Sequence, residues 1–261
     1  MRGGRTAQGE VALWALISFF TVYPVRLSGG ATLQRAAASV HLLPLIGILA
    51  GAPGALTLLL TGYALPAGVA ASLGLAAVLL AAGFHHTDGL LDVGDALMVR
   101  GSPERRREVM KDLRVGVGGF GALLVVYAPA FAALSALVGV SPALAACALL
   151  AAETASRSAM LLMLVFGKPA EASSSSSPFI EALRSTGKRY FGLALAAALP
   201  VFFALPLGMI SFAALLWLPV AAVALFVAGR AFGGVGGDVS GASGEAARTV
   251  VLVALSAGIA G

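Results

Sequence analysis

The chain has 261 residues, of which 59% are hydrophobic and 11% charged, with a formal net charge of +5. Soluble domains carry about 25% charged residues, and a soluble fold of this length at a mean hydropathy of +0.95 could not hide so much apolar surface, whereas in a bilayer it need not. The basic residues sit between apolar runs, which assigns the excess charge to membrane topology and not to nucleic acid.

The first apolar run, 11–25, follows Arg2 and Arg5 and has the outline of a signal peptide. Thr21, Tyr23 and Pro24 interrupt it, and no small-residue cleavage site follows. We expect it to remain in the mature protein, as a re-entrant or interfacial segment or as a span that violates the charge rule. No Lys, Arg, Asp or Glu occurs in 36–87, 115–152 or 190–229. A spanning helix needs about 20 apolar residues, so each stretch accommodates two. Each also carries a Gly/Pro break near its middle, at 62–66, 139–142 and 206–208. The expected fold is all-α: one membrane domain over 1–261, with hairpins at about 39–84, 117–166 and 191–229 giving six spans. The last run, 249–260, is short for a span.

Charge then orients the spans. Arg26 and Arg35 precede the first hairpin. Arg100, Arg105, Arg106, Arg107, Lys111 and Arg114 separate the first from the second. Lys168, Arg184, Lys188 and Arg189 separate the second from the third, and Arg230 and Arg248 follow. The hairpin turns hold none, so the loops at about 85–116, 167–190 and 230–248 are expected on the cytoplasmic side of the cell (inner) membrane. The serine run 173–177 reads as a flexible connector. Cys147 has no partner in the sequence for a disulfide or a metal pair and reads as packing filler.

The strongest chemical signal is His85-His86-Thr87-Asp88-Gly89-Leu90-Leu91-Asp92-Val93-Gly94-Asp95-Ala96. Asp88, Asp92 and Asp95 fall at i, i+4 and i+7, on one helical face. A solvated acidic helix end is the plainer reading. Three stacked like charges are better stabilised by a divalent cation, and an oxygen-only set suits Mg²⁺ or Mn²⁺. Ser102-Pro103 then starts a helix expected to run to about Arg114, with Arg107, Lys111 and Arg114 on one face. A basic stripe beside an acidic one suits a phosphorylated substrate. Glu153 and Arg157 are the charges within the second hairpin, four residues apart. Intramembrane ionisable residues default to function, here with Arg157 reaching a phosphate; a buried structural pair is the alternative. Finally, Gly233-Gly234-Val235-Gly236-Gly237-Asp238 reads as a glycine-rich loop able to approach phosphate, and it carries Asp238 and Glu245 to the same side.

Taken together, these blocks resemble the cobalamin synthase family of adenosylcobinamide-GDP ribazoletransferases over nearly the whole chain. Phe19-Phe20-Thr21-Val22-Tyr23-Pro24-Val25 is similar to the family's Phe-x-Thr-x-x-Pro-Val opening. His86 to Asp95 is similar to its His-x-Asp-Gly-x-x-Asp-x-x-Asp signature, and Met110 to Gly116 to its Met-Lys-Asp-x-Arg-x-Gly segment. Arg157-Ser158-Ala159-Met160 fits a later helix, and Gly233 to Glu245 fits its Gly-Gly-x-x-Gly-Asp-x-x-Gly-Ala-x-x-Glu tail. The chain departs at Thr87 and Ser240, where apolar residues are usual, and after Gly167-Lys168-Pro169, where a glycine-rich stretch is replaced by serines.

The resemblance implies a phosphoryl transfer with Mg²⁺ as cofactor. α-Ribazole, or its 5'-phosphate, attacks the cobinamide-linked phosphorus of adenosylcobinamide-GDP, and GMP leaves. Asp88, Asp92 and Asp95 would hold the metal. One of them, or Asp112 or His86, would accept the hydroxyl proton. Lys111, Arg114, Arg157, Gly236, Gly237, Asp238 and Glu245 would bind substrate. The implied partners are these two substrates and the lipid bilayer, with no nucleic acid; a homo-oligomer is compatible with this reading and not specified by it. Two other functions are weighed against it. A CDP-alcohol phosphotransferase would need Asp-Gly-x-x-Ala-Arg, where this chain has Asp92 and Val93. A transporter would need charges spread along its spans.

Overall fold

A computed structural model of the chain describes residues 3–25, 32–171 and 174–258. Arg2, Arg26, Ser173 and the end of the last apolar run, Ile259 and Ala260, lie outside them. Among the described residues the fold is all-helical, apart from one parallel bridge between Pro169 and Val235. The α-helices are α1 (Gly3–Phe20), α2 (Leu33–Ala38), α3 (Leu43–Thr61), α4 (Ala67–Ala82), α5 (His85–Met98), α6 (Pro103–Val109), α7 (Val117–Val140), α8 (Pro142–Phe166), α9 (Ser177–Ala182), α10 (Thr186–Ala204), α11 (Trp217–Val227) and α12 (Gly237–Ala257).

The breaks fall where the sequence has its helix stops. Gly62 to Pro66 separates α3 from α4. Ser141 separates α7 from α8, capping α8 by accepting from the Leu144 N–H, with Pro142 in the first turn. Beyond α10 the chain tightens into a 3₁₀ stretch, Leu205–Leu216, broken at Gly208, whose φ of 74° is open to glycine. Four segments are long and apolar enough to cross a membrane: Val40–Thr61, Val117–Val140, Pro142–Phe166 and Thr186–Phe232. A fifth is reached if α4 and α5 count together, yet these two meet at 93°. The structure therefore supports a membrane bundle of four to five candidate spans where the sequence predicts six. α4, with 16 residues, is short for a span, and the third stretch counts as a single candidate although it is broken at Gly208.

α8 is the centre of the bundle, packed by α3, α10 and α12. Lipid supplies little drive to join helices, so small residues that let backbones touch hold such bundles together. A Cβ at Gly47 of α3 would lie 2.7 Å from the Thr154 Cα of α8, so that contact is made by backbone.

Three local expectations are corrected. The basic helix stops at Val109 instead of running on to Arg114, because Asp112 accepts from the Arg114 backbone N–H and turns the chain. Arg107, Lys111 and Arg114 therefore do not share one helical face. The glycine-rich loop is short: its left-handed Gly233 ends a π-turn, and from Gly237 on the chain is already α12, so Glu245 and Arg248 are helical. The serine run is more than a connector where described. Ser176 Oγ donates to the Val235 carbonyl at 2.7 Å, and Ala170 and Lys168 bond Val235 through the backbone.

Candidate active site

The site begins with a bend. Gly83 (φ 69°) and Phe84 (φ 60°) are consecutive left-handed residues. Such a pair cannot continue a right-handed helix and, for Phe, is strained. It turns α5 through 93° from α4 and packs it against α7 and α12. There α5 crosses α12 with nothing between the backbones. A Cβ at Gly89 would lie 2.7 Å from the Asp238 Cα, and one at Gly241 would lie 3.2 Å from the His86 ring.

This crossing sets Asp88 and Asp92 of α5 beside Asp238 at the first turn of α12. Burial, and then the charges of Asp88, Asp238 and Asp95, push the Asp92 carboxyl up to about 6. Burial and Asp88 also raise Asp238. Such a field favours protonation or a cation.

Asp95 has another task. Its two oxygens accept from the Gly116 N–H at 2.7 Å and the Gly119 N–H at 2.8 Å, holding the positive end of α7. Asp112 is bound by Arg114, whose guanidinium donates to it at 2.8 and 3.1 Å, and those hydrogen bonds hold its carboxyl down at about 2. Asp95, Asp112 and Arg114 line a groove beside the start of α7, apart from the cavities that Asp88 and Asp238 line. With Asp95 so engaged, no three His, Cys, Asp or Glu side chains among the described residues converge closely enough to hold a metal ion unaided.

Two cavities adjoin at the N-terminus of α12. One, of about 260 Å³, is lined by Arg107, Lys111, Glu171, Gly236, Gly237 and Asp238. The other, of about 450 Å³, is lined by Phe20, His86, Asp88, Phe179, Asp238 and Ser240, among others. Ser175, Gly237 and Asp238 line both. The first is lined by two cations, Arg107 and Lys111, and two carboxylates, Glu171 and Asp238. Lys111 is exposed, 3.9 Å from Glu171. Arg107 donates to Glu171 at 2.9 Å and to the Phe232 carbonyl at 2.7 Å, fastening the glycine segment. Gly236 and Gly237 open α12 toward both cavities, and a helix N-terminus presents N–H groups to anions. The sequence reading did not select Glu171, Ser175, Phe20 or Phe179. Each is chemically ordinary there and gains meaning only from what it faces.

Beneath the site lies a charged network inside the bundle. Arg157 is fully buried, and Glu245 is 1% exposed. Arg248 donates to both Glu153 and Glu245. Tyr127 of α7 donates to Glu245 at 2.7 Å and shares a 2.8 Å hydrogen bond with Thr87 of α5. Arg157 lies 3.7 Å from Glu153, and His86 Nδ1 lies 4.0 Å from Glu245. The network joins α5, α7, α8 and α12. It takes Glu245 and Arg157 away from the cavity surface expected of them, and it carries His86 and Thr87 just behind Asp88.

The profile of the family described as Cobalamin-5-phosphate synthase matches residues 12–256. The chain is 32% identical to a protein of Methanocella arvoryzae named adenosylcobinamide-GDP ribazoletransferase, over 94% of this chain and 95% of that one. A protein of the same name from Ralstonia nicotianae is 32% identical over the same shares. A Saccharolobus islandicus protein of that name reaches 44% over 42% of this chain and 43% of its own. No solved structure matches.

Proposed function

Since the chain belongs to the cobalamin-5-phosphate synthase family, we propose that it is a membrane transferase that moves the cobinamide phosphate of adenosylcobinamide-GDP onto α-ribazole or its 5'-phosphate. This is the nucleotide-loop step of cobalamin biosynthesis. A ribose hydroxyl oxygen bonds to the cobinamide-linked phosphorus, the bond from that phosphorus to the GMP oxygen breaks, and GMP leaves. The observation that carries the reading is the meeting of Asp88, Asp92 and Asp238 at the glycine-opened N-terminus of α12, beside a cavity that Arg107 and Lys111 help to line.

In this proposal one or two of Asp88, Asp92 and Asp238 would hold Mg²⁺ together with the substrate phosphates. The raised Asp92 and Asp238 carboxyls fit a cation. When bound, Mg²⁺ neutralises the diphosphate and polarises the phosphorus. Lys111 and the N-terminal N–H groups of α12 bind the leaving phosphate. Asp88, exposed at the cavity edge, is the group suited to take the hydroxyl proton. Asp95 acts as a positioning residue, through the start of α7. Asp112, held by Arg114, is poorly suited as a base. These groups face the cytoplasm of the cell membrane, by the positive-inside bias of their loops. A reporter at Ser141 that proved cytoplasmic would overturn that orientation.

Purified protein with adenosylcobinamide-GDP, α-ribazole and Mg²⁺ should release GMP. Release of CMP from a CDP-alcohol without any GMP, or flux through proteoliposomes without bond cleavage, would sink the assignment.

A further inference from the structure

The larger cavity has a character that phosphate chemistry does not explain. Phe20 and Phe179 are 7% and 4% exposed, with ring centroids 5.9 Å apart, and Phe20 lies 6.1 Å from the His86 ring. Met160 and Leu164 of α8 add an apolar wall. One lining residue, Ser240, is 3% exposed and its Oγ has no hydrogen-bond partner. Buried polar groups are ordinarily satisfied, and each exception asks for a partner. A volume of about 450 Å³ lies within the small-molecule range of about 300–1,000 Å³.

We infer that this cavity seats the flat heteroaromatic base of the nucleoside substrate against Phe20 and Phe179, with Ser240 beside the one ring nitrogen not bonded to ribose. The inference rests on the proposed transfer and assigns one of its substrates a place. The aromatic walls suit the face of a fused ring. Position tells the two substrates apart: Asp88, proposed to take the nucleophile's proton, lines only the larger of the two cavities, and Lys111, proposed to bind the leaving phosphate, lines only the smaller. The position is consistent. The cavity meets the smaller one, which Lys111 lines, at Ser175, Gly237 and Asp238. A base held at Phe179 therefore puts its ribose at the junction, beside Asp88 and Asp238, with the phosphates of the other substrate beyond.

The test uses the full chain in nanodiscs, with Phe179→Leu and Ser240→Ala, the latter removing one oxygen and little packing. KM for α-ribazole is expected to rise about 10-fold in the first and about 3-fold in the second. kcat and the KM for adenosylcobinamide-GDP should stay within about twofold, the signature of lost uniform binding. Benzimidazole, titrated without the second substrate, should bind wild type in competition with α-ribazole and bind both variants more weakly. A rise confined to the KM for adenosylcobinamide-GDP, with weaker inhibition by GMP, would make this the guanine site and overturn the inference. Unchanged constants in both variants would overturn it too. Wild type that binds benzimidazole in competition with α-ribazole but never releases GMP would refute the proposed transfer alone.

Discussion

Asp92 and Asp95 are three residues apart on one helix and do opposite things. Asp92 sits in the field of Asp88 and Asp238, with its carboxyl pushed up to about 6. Asp95 spends its charge on two backbone N–H groups of α7. Asp92→Asn should lower Mg²⁺-dependent GMP release by about 100-fold or more, as loss of a metal-site group does. The same change should leave the metal-free thermal midpoint unchanged or raised, because it removes like-charge repulsion; a lower midpoint would mean that Asp92 is structural. Asp95→Ala should lower stability by about 1–2 kcal/mol, the cost of losing a helix cap, with an activity loss that follows the unfolded fraction. Denaturation curves beside GMP-release assays separate the two.

At the scale of the element, function depends on how closely α5 and α12 cross. A methyl at Gly89 would meet the Asp238 backbone at 2.7 Å, and backbone cannot step aside as a flexible side chain can. Gly89→Ala should therefore push the helices apart, costing about 1–3 kcal/mol by overpacking and most of the activity. Gly241→Ala meets the His86 ring at 3.2 Å, where a few tenths of an ångström suffice, and should be milder on both measures. Equal effects from the two would show that the crossing is not what assembles the site. The bend that starts α5 was not legible beforehand. Gly83 signals a helix end, but nothing in Phe84 announces a second left-handed residue.

At the scale of the molecule, four helices are joined by charges that water never reaches. Arg248 sits between Glu153 and Glu245, and removing one partner of a buried pair costs about 3–5 kcal/mol. Arg248→Met should thus yield protein of much lower stability, whereas Arg105→Met, which breaks an exposed pair with Glu108, should change stability by less than about 1 kcal/mol; denaturation curves of the two check this. The sequence by itself determined the membrane class, the all-helical bundle, the places of the breaks and the acidic α5, because lipid allows so few ways to span and because periodicity alone puts Asp88 and Asp92 on a common face. The breaks also suggest six spans, where the structure supports four to five candidates. Only the tertiary structure decided how the charged residues divide: Asp88, Asp238 and Lys111 line the cavities, Asp95 and Asp112 turn to the start of α7, and Arg157 and Glu245 go into the core. Spacing along one helix fixes which residues share a face. What that face meets depends on helices more than a hundred residues away, and here on glycines that let two backbones touch.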